Sequence, residues 1–226
     1  MLATAGAMPE RKLLSEVAAK ELLASYGIPV VPTALARSPA EAVRLSKQLG
    51  LPVVLKVASP DIVHKSDVGG VRLNVTSMSQ VSKAYGEIMA RVRAHLPQAV
   101  VEGVTVQTMA KPGIEVVAGL TSDRTFGPVV MFGLGGVFVE VLNDVAFRVV
   151  PLRPKDARAM MREIRGFAML QGYRGTPPVA LQALEDILLR LSTLAEQRPD
   201  LSEVDLNPIL AYPEGALAVD ARILLA

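Results

Sequence analysis

A histidine beside a lysine and a pair of glycines marks the first place where this sequence indicates chemistry. The segment SPDIVHKSDVGGVRLNV contains His64, one of only two histidines in the chain. A neutral imidazole near pH 7 is a competent nucleophile toward phosphorus. A lone histidine is often structural, but the turn-forming residues here, with Gly69 and Gly70, favour a movable functional loop. The other histidine, His95, ends an amphipathic segment and is explained as a cation at a helix C-terminus.

A single lysine interrupts the apolar segment PVVLKVAS, which comes just before the histidine loop. An unpaired ammonium group is costly to bury in a strand of this kind. Two interpretations therefore stay open for Lys56. It faces water from an edge strand, or it points into a cleft and binds an anion such as a phosphate.

Oxygen-bearing side chains recur at every second position of the segment SEVDLNPIL, near the end of the chain. A strand would place Glu203, Asp205 and Asn207 on one face. A turn at the sequence PEG would bring Asp220 opposite Asn207, because the midpoint of these two residues falls in that turn. Such oxygens suit Mg²⁺, which takes a few protein ligands and completes its shell with phosphates and water. The alternative is a solvated face on which Asp220 pairs with Arg222 or another cation.

A lysine for phosphate and an oxygen cluster for magnesium together indicate a nucleoside triphosphate. The glycine-rich sequence GLGG at residues 133–136 adds little by itself. It lacks the GKT or GKS ending of a P-loop, and the chain has no GxGxxG fingerprint.

Alternating helical and strand patterns must position these residues. Helices are predicted at residues 13–26, 38–50, 77–96, 155–170 and 178–197, the second with Ser38 as N-cap and Gly50 at its end. The segments PVVLKVAS and GVRLNVTS are expected to pair as strands across the His64 loop. This order predicts an α/β (α+β) fold with two subdomains.

Composition excludes several classes of protein. The chain has 24 basic and 22 acidic residues and no cysteine. This balance does not favour nucleic-acid or membrane partners, and no disulfide framework or thiolate metal site is available. The chain has no sustained apolar run for a signal sequence or a membrane helix. We therefore expect a soluble, cytoplasmic protein.

Five long segments carry a family resemblance: LLSEVAAKELLASYGIPVV, PVVLKVASPDIVHKSDVGGVRLNV, FGPVVMFGLGGVFVEVLNDVAFRVVPL, RGFAMLQGYRGTPP and EVDLNPILAYPEGALAVDARI. Together they resemble the β subunit of ADP-forming acetyl-CoA synthetase (acetate–CoA ligase, ADP-forming). That subunit is an ATP-grasp module related to the β subunit of succinyl-CoA synthetase. The resemblance runs from about residue 13 to residue 223.

The resemblance implies an ATP-grasp fold with the nucleotide cleft between two subdomains. It implies an N-terminal helix within residues 1–27 that packs on the second subdomain. Residues 28–104 would form the first subdomain, with Lys56 and the His64 loop. Residues 105–226 would form the second, with the hinge, the glycine loop and the magnesium hairpin.

The resemblance also assigns roles to individual residues. His64 matches the histidine that carries a phosphoryl group on a mobile loop in this family. Glu140 and Arg148 would lie near the phosphate end of the cleft. The implied nucleotide-binding residues are Lys56, Gln107, Thr108, Met109, Ala110 and Glu115. The implied Mg²⁺ ligands are Asn207 and Asp220, with Asp205 nearby.

The implied activity is that of an acid–thiol ligase, working with ATP or ADP and Mg²⁺. Nothing in the sequence resembles a CoA-binding domain, so we expect a CoA-binding α subunit, or fused domains of that kind, as partner. Two alternatives stay open. One is a regulatory ATP-grasp-like domain that binds nucleotide or acyl-CoA without catalysis. The other is a carboxylate–amine ligase, which uses no histidine.

Overall fold

The structure is a computed structural model that describes residues 12–62, 64–136 and 143–226. The described residues form two antiparallel sheets with helices packed against them, which confirms the expected mixture of helices and sheets. The strands are β1 (Lys12–Leu13), β2 (Thr33–Ala36), β3 (Val53–Ala58), β4 (Val71–Val75), β5 (Gly103–Thr108), β6 (Ile114–Asp123), β7 (Gly127–Leu134), β8 (Val145–Val149), β9 (Leu201–Tyr212), β10 (Gly215–Ala218) and β11 (Arg222–Leu225). The helices are α1 (Glu16–Ser25), α2 (Pro39–Leu49), α3 (Met78–His95), α4 (Pro154–Glu163), α5 (Phe167–Leu170) and α6 (Leu181–Gln197).

The first sheet has four strands in the order β2-β5-β3-β4. β3 and β4 pair across the His64 loop as predicted, and β5 lies on the other side of β3. Val53, Leu55 and Val57 of β3 belong to a core shared with α2 and α3. Side chains alternate along a strand, so Lys56 lies on the opposite face. That face looks toward the second sheet.

The second sheet follows the order β1-β11-β9-β6-β7-β8, and β10 also pairs with β9. Its core includes Leu23 of α1, Phe132 of β7 and Leu188 of α6. Helix α1 therefore packs on the second sheet, while its first turn reaches toward the first. No helix in the described ranges has the length and apolar composition needed to cross a bilayer.

Three helices begin where a serine side chain caps the backbone. The hydroxyls of Ser15, Ser38 and Ser77 each accept a hydrogen bond from the backbone N–H three residues further on. Such caps stabilise a helix by roughly 0.5–2 kcal/mol. Helix α2 has the predicted caps, with Ser38 before its first residue and Gly50, at a φ of +83°, after its last. Helix α1 begins at Glu16 rather than at residue 13, because the residues before its cap are extended in β1.

The expected boundary between residues 104 and 105 is corrected, because it falls inside β5. All of β5 pairs with β2 and β3, so it belongs entirely to the first sheet. Residues 109–113 then connect β5 to β6 of the second sheet. Of the expected N-terminal segment, residues 1–11 lie outside the described residues.

Three strands, rather than the predicted two, end the chain. β10 and then β11 cover the same edge of β9, with Ala218 opposite Ile209 and Arg222 opposite Asp205. The register is therefore the same before and after residues 219–221, which interrupt the ladder opposite residues 206–208. The sequence predicts the pairing but not this interruption. Polar side chains of residues 205, 207 and 220 lie there, on the side of the second sheet that is turned to the first sheet.

Close packing at Gly70 fixes the base of the His64 loop. Its N–H donates to the Lys65 carbonyl at 2.8 Å, and its carbonyl accepts from the Val57 N–H at 2.7 Å. A Cβ atom at Gly70 would lie 2.6 Å from Val57 Cγ1 and 2.8 Å from the Lys65 carbonyl oxygen. The sequence suggests that this glycine frees the loop backbone. In the structure it allows a close approach that anchors the loop.

We predict opposite effects of alanine at two glycines. Gly70→Ala should lower the free energy of unfolding by about 1–3 kcal/mol, because its Cβ has no room. Gly86→Ala, in α3, should raise it by about 0.5–1 kcal/mol, because alanine is the better helix former and nothing lies within 4 Å of its Cβ. Urea unfolding of both variants checks this. A Gly70→Ala protein as stable as the wild type contradicts the packing described above.

Candidate functional site

A cleft of about 610 Å³ lies between the two sheets. Its walls are the start of α1, the inward face of the first sheet, and the interruption between β10 and β11. Four of the residues predicted from the sequence line it, namely His64, Asp205, Asn207 and Asp220. The structure thus brings together residues that are more than 130 positions apart in the chain.

His64 is exposed on the loop between β3 and β4 and lines the cleft. Successive turns fold this loop. The Asp67 N–H donates to the His64 carbonyl at 3.2 Å, and the Gly69 N–H donates to the Ser66 carbonyl at 3.0 Å. Val63 lies outside the described residues. The imidazole is therefore not locked in an apolar interior and has access to both solvent and the cleft.

Lys56 is a buried side chain on an inner strand, so the edge-strand interpretation is excluded. Its Nζ lies 2.9 Å from Glu16 Oε1 and 3.2 Å from Asp220 Oδ2. The lysine does point toward anions, as the other interpretation requires. In this structure those anions are carboxylates of the protein itself.

Glu16 is the centre of this arrangement. Its Oε1 lies 2.9 Å from the ammonium groups of both Lys20 and Lys56, and its Oε2 lies 2.8 Å from that of Lys65. Burial alone would raise the pKa of Glu16, but Lys56, Lys20 and Lys65 outweigh burial and hold that pKa far below its usual range. We call Glu16, Lys20, Lys56, Lys65 and Asp220 the lysine cluster.

The lysine cluster has three ammonium groups and two carboxylates, and therefore one excess positive charge. Burial lowers the pKa of Lys20. Burial also opposes the charged form of Lys65, but Glu16 and Asp220 outweigh it and raise the pKa of that lysine. The ammonium groups of Lys56 and Lys65 can pair with phosphates as they do with these carboxylates.

Five predicted nucleotide-binding residues lie at or beside the segment that connects β5 to β6, and they do not line this cleft. They are Gln107, Thr108, Met109, Ala110 and Glu115. The Gln107 side chain is buried, and its Oε1 accepts a hydrogen bond from Lys20 Nζ at 2.9 Å. The Met109 N–H donates to the Pro52 carbonyl at 3.0 Å. These polar groups already have partners within the chain, so their role toward a nucleotide stays a prediction.

Glu115 instead lies against the glycine-rich sequence GLGG. Its carbonyl accepts from the Gly135 N–H at 2.7 Å, and a Cβ atom at Gly135 would lie 2.9 Å from Glu115 Cβ. Arg148 pairs with Glu163 of α4 rather than facing the cleft, with Nη1 2.9 Å from Oε2. Glu140 lies outside the described residues.

The three predicted metal ligands lie at one end of the cleft. The shared register of β10 and β11 places Asp220 across from Asn207. Burial, together with the negative charges of Glu203 and Asp220, raises the pKa of Asp205, and a cation would relieve this strain. Two or three such oxygens fit Mg²⁺, which takes its other ligands from phosphates and water. In the part of the chain that the structure describes, no three His, Cys, Asp or Glu residues form a metal-binding group.

The alternative to a metal role is an Asp220 paired with Arg222 or another cation, and the structure shows other cations, not Arg222, beside it. Arg222 instead lies 3.5 Å from Glu203. Asp220 faces Lys56 at 3.2 Å and Lys65 at 4.0 Å. The carboxylate is therefore directed into the lysine cluster rather than toward a solvated strand face.

The sequence does not reveal the central residue of the site, Glu16. At the first position of a helix, an acidic residue is ordinarily explained by the helix dipole. Its spacing from Lys20 indicates one helical ion pair. Its contacts with Lys56 and Lys65, 40 and 49 positions away, exist only in the folded chain.

Comparison with known proteins places this architecture in a family. The family model of the ATP-grasp domain matches residues 6–225. The β subunit of acetate–CoA ligase [ADP-forming] I from Pyrococcus furiosus is 47% identical over 219 residues, which are 97% of this chain and 94% of that one. The acetate–CoA ligase [ADP-forming] I of Archaeoglobus fulgidus is 46% identical over 90% of this chain, which spans only 30% of that longer protein.

Solved structures agree. Acetyl-coenzyme A synthetase 1 of Candidatus Korarchaeum cryptofilum, in complex with coenzyme A and Ca-AMPCP, matches with a TM-score of 0.94 and 50% identity over 95% of this chain and 94% of that one. Another structure of that protein, with Mg-AMPPCP and a phosphohistidine segment pointing towards the nucleotide-binding site, matches with a TM-score of 0.85 and 46% identity over 95% and 93%. The chain thus belongs to the ATP-grasp family, among the β subunits of the ADP-forming acetate–CoA ligases.

Proposed function

We propose that this chain is the nucleotide-binding β subunit of an ADP-forming acyl-CoA ligase, with acetate as its acyl group, and that His64 relays a phosphoryl group. One observation carries the proposal. The exposed His64 lines one cleft with Glu16, Lys65 and three oxygen-bearing side chains suited to Mg²⁺, and Lys56 lies behind this lining, 3.2 Å from Asp220. The names of the relatives supply the acyl group.

The overall reaction converts acyl-CoA, ADP and phosphate into a carboxylic acid, CoA and ATP, and it is reversible. The partner would form an acyl phosphate and pass its phosphoryl group, through a phosphohistidine of its own, to His64. A terminal oxygen of the ADP β-phosphate then attacks the phosphorus on His64. A new P–O bond forms, the N–P bond breaks, and the imidazole returns to its neutral form.

The protein contributes mainly alignment and charge neutralisation to such a step. Lys56 is fixed on an inner strand and cannot follow the loop, so it suits a stationary phosphate. Lys65 is adjacent to His64 and travels with it. Both ammonium groups would pair with phosphates of the nucleotide.

Asp205, Asn207 and Asp220 would hold Mg²⁺ at the same end of the cleft. When bound, the ion would neutralise phosphate charge. Lys56 lies 3.2 Å from the Asp220 carboxylate, so this lysine is close to the residues that would hold the ion.

A CoA-binding partner completes the proposal. Relatives that combine the activity in one chain are much longer, and this chain spans about 30% of their length. Two of the Korarchaeum structures that match this chain are complexes with coenzyme A and a nucleotide analogue. We therefore propose a CoA-binding α subunit, and a cytoplasmic location stays a prediction from composition.

We predict that His64 is the only acceptor of phosphate from ATP. Incubation with Mg²⁺ and γ-labelled ATP should give acid-labile, base-stable label on the wild type. His64→Ala should lose this label completely, because no other imidazole reaches the cleft in the described part of the chain. His95→Ala is the matched control and should keep the full label, because His95 lies at the end of α3.

The same experiment separates the competing functions. A regulatory domain or a carboxylate–amine ligase binds the nucleotide in calorimetry but leaves the wild type unlabelled even after a CoA-binding α subunit is added. Equal label on the wild type and His64→Ala contradicts the relay. Either result overturns the assignment of His64.

We predict that Asp220 couples nucleotide binding to Mg²⁺. In the wild type, Mg²⁺ should tighten the binding of a non-hydrolysable ATP analogue, and Asp220→Asn should reduce this gain by about tenfold or more. Asp186→Asn, which changes an exposed carboxylate of α6 outside the cleft, should behave like the wild type. Isothermal titration calorimetry with and without Mg²⁺ measures the difference. An unchanged magnesium effect in Asp220→Asn would assign the carboxylate to the ion pairs alone.

A further inference from the structure

Hydrogen bonds at its two ends, the packing of Val68 against the core of the first sheet, and the side chain of Lys65 attach the His64 loop to the protein body. At the first end, Asp61 Oδ2 accepts from the Val100 N–H at 2.7 Å. At the other end, the Gly70 carbonyl accepts from the N–H of β3 described above. Near the tip, Lys65 Nζ donates to Glu16 Oε2 at 2.8 Å. In the described part of this loop, every ion pair passes through Lys65.

The carboxylate of Glu16 divides its two oxygens between fixed and movable partners. Oε1 contacts Lys20 on α1 and Lys56 on β3, both within regular secondary structure. Oε2 contacts Lys65, which lies on the loop. When Lys65 withdraws, two ammonium groups still compensate the buried carboxylate. Departure of the loop therefore leaves no uncompensated buried charge, which would be strongly destabilising.

Burial ranks the three lysines in the same order. The side chains of Lys20, Lys56 and Lys65 are 3%, 8% and 20% exposed. Lys65 is the least buried of the three, so its ammonium group gives up the least burial when it moves into water. Among these contacts, the pair between Glu16 and Lys65 is the one that the fold can open and close.

The position of Lys65 makes this contact a constraint on the imidazole. Neighbouring Cα atoms are about 3.8 Å apart, so holding Lys65 at Glu16 keeps His64 at the mouth of the cleft. Asp220 adds a second carboxylate at 4.0 Å from the same ammonium group. The loop is therefore held where a nucleotide phosphate would bind.

We propose that Glu16 and Lys65 are positioning residues, whose ion pair docks the His64 loop on the nucleotide side of the cleft. This pair breaks when the loop leaves for the partner and re-forms when it returns. The movement of the loop toward a partner rests on the proposed function. The docking of the loop by the ion pair between Glu16 and Lys65 involves this chain alone, and we call this ion pair the dock.

Hydrogen–deuterium exchange of the free chain tests the dock without reference to activity. In Lys65→Met, amides of residues 64–69 should exchange about tenfold faster, which corresponds to ~1.4 kcal/mol of lost docking. Lys65→Arg should restore protection to within about twofold of the wild type, because arginine can pair with Glu16. Lys83→Met removes an exposed lysine of α3 and is the control that should change neither the loop nor the core. Unchanged exchange in Lys65→Met overturns the dock.

The rate of phosphohistidine formation provides the second measurement. With Mg²⁺ and γ-labelled ATP, Lys65→Met should label His64 about tenfold more slowly at saturating ATP, since the loop spends less time docked. Lys65→Arg should recover the rate. Glu16→Gln, tested from the other side of the pair, should accelerate exchange in the loop as Lys65→Met does. A Glu16→Gln loop protected like the wild type, while its core is intact, contradicts the proposal.

These measurements keep the two proposals separate. If the wild type takes up no label but Lys65→Met still accelerates loop exchange, the relay through His64 is wrong and the dock stands. If the wild type is labelled and Lys65→Met changes neither exchange nor rate, the relay stands and the dock is wrong.

Discussion

The Glu16 carboxylate can be buried only because three ammonium groups surround it. A buried carboxylate without such partners would be strongly destabilising. The lysines come from a helix, an inner strand and a loop, so one carboxylate defines where these elements meet. Helix α1 is itself anchored by Leu23 in the core of the second sheet. The apolar packing of α1 on the second sheet thus fixes the position of the Glu16 carboxylate, which lies against the inward face of the first sheet.

Local patterns in the sequence predict several helices and strands and several residues of the candidate site. The alternation around Asp205 and Asn207 identifies one polar face of β9, because side-chain direction follows directly from strand geometry. Ser38 and Gly50 mark both ends of α2 for similarly local reasons. The lone lysine in an apolar strand indicates an unusual environment for Lys56. Each of these inferences needs only neighbouring residues in the chain.

Contacts distant in sequence could not be predicted in the same way. Nothing near Glu16 indicates that it meets Lys65, because that contact depends on how α1 packs between the sheets. The prediction that Gly70 frees the loop backbone is wrong for a related reason. A glycine in a turn indicates backbone freedom, whereas the crowding by Val57 that makes it necessary appears only in the folded chain. The interior hydrogen bond of Gln107 is another such case.

Two attractions of different kinds hold the two sheets. Apolar packing ties α1 to the second sheet, but charge pairs with Glu16 and Asp220 tie the first sheet's Lys56 to it. Moving the first sheet away from the second would therefore stretch these ion pairs. Mobile counter-ions weaken the more accessible of such pairs, with a screening length of about 8 Å at physiological ionic strength. Dissolved salt consequently acts on the contact between Lys65 and Asp220 more than on the buried pair of Lys56 and Glu16, so the attachment between the sheets has one part that responds to the ionic medium and one that resists it.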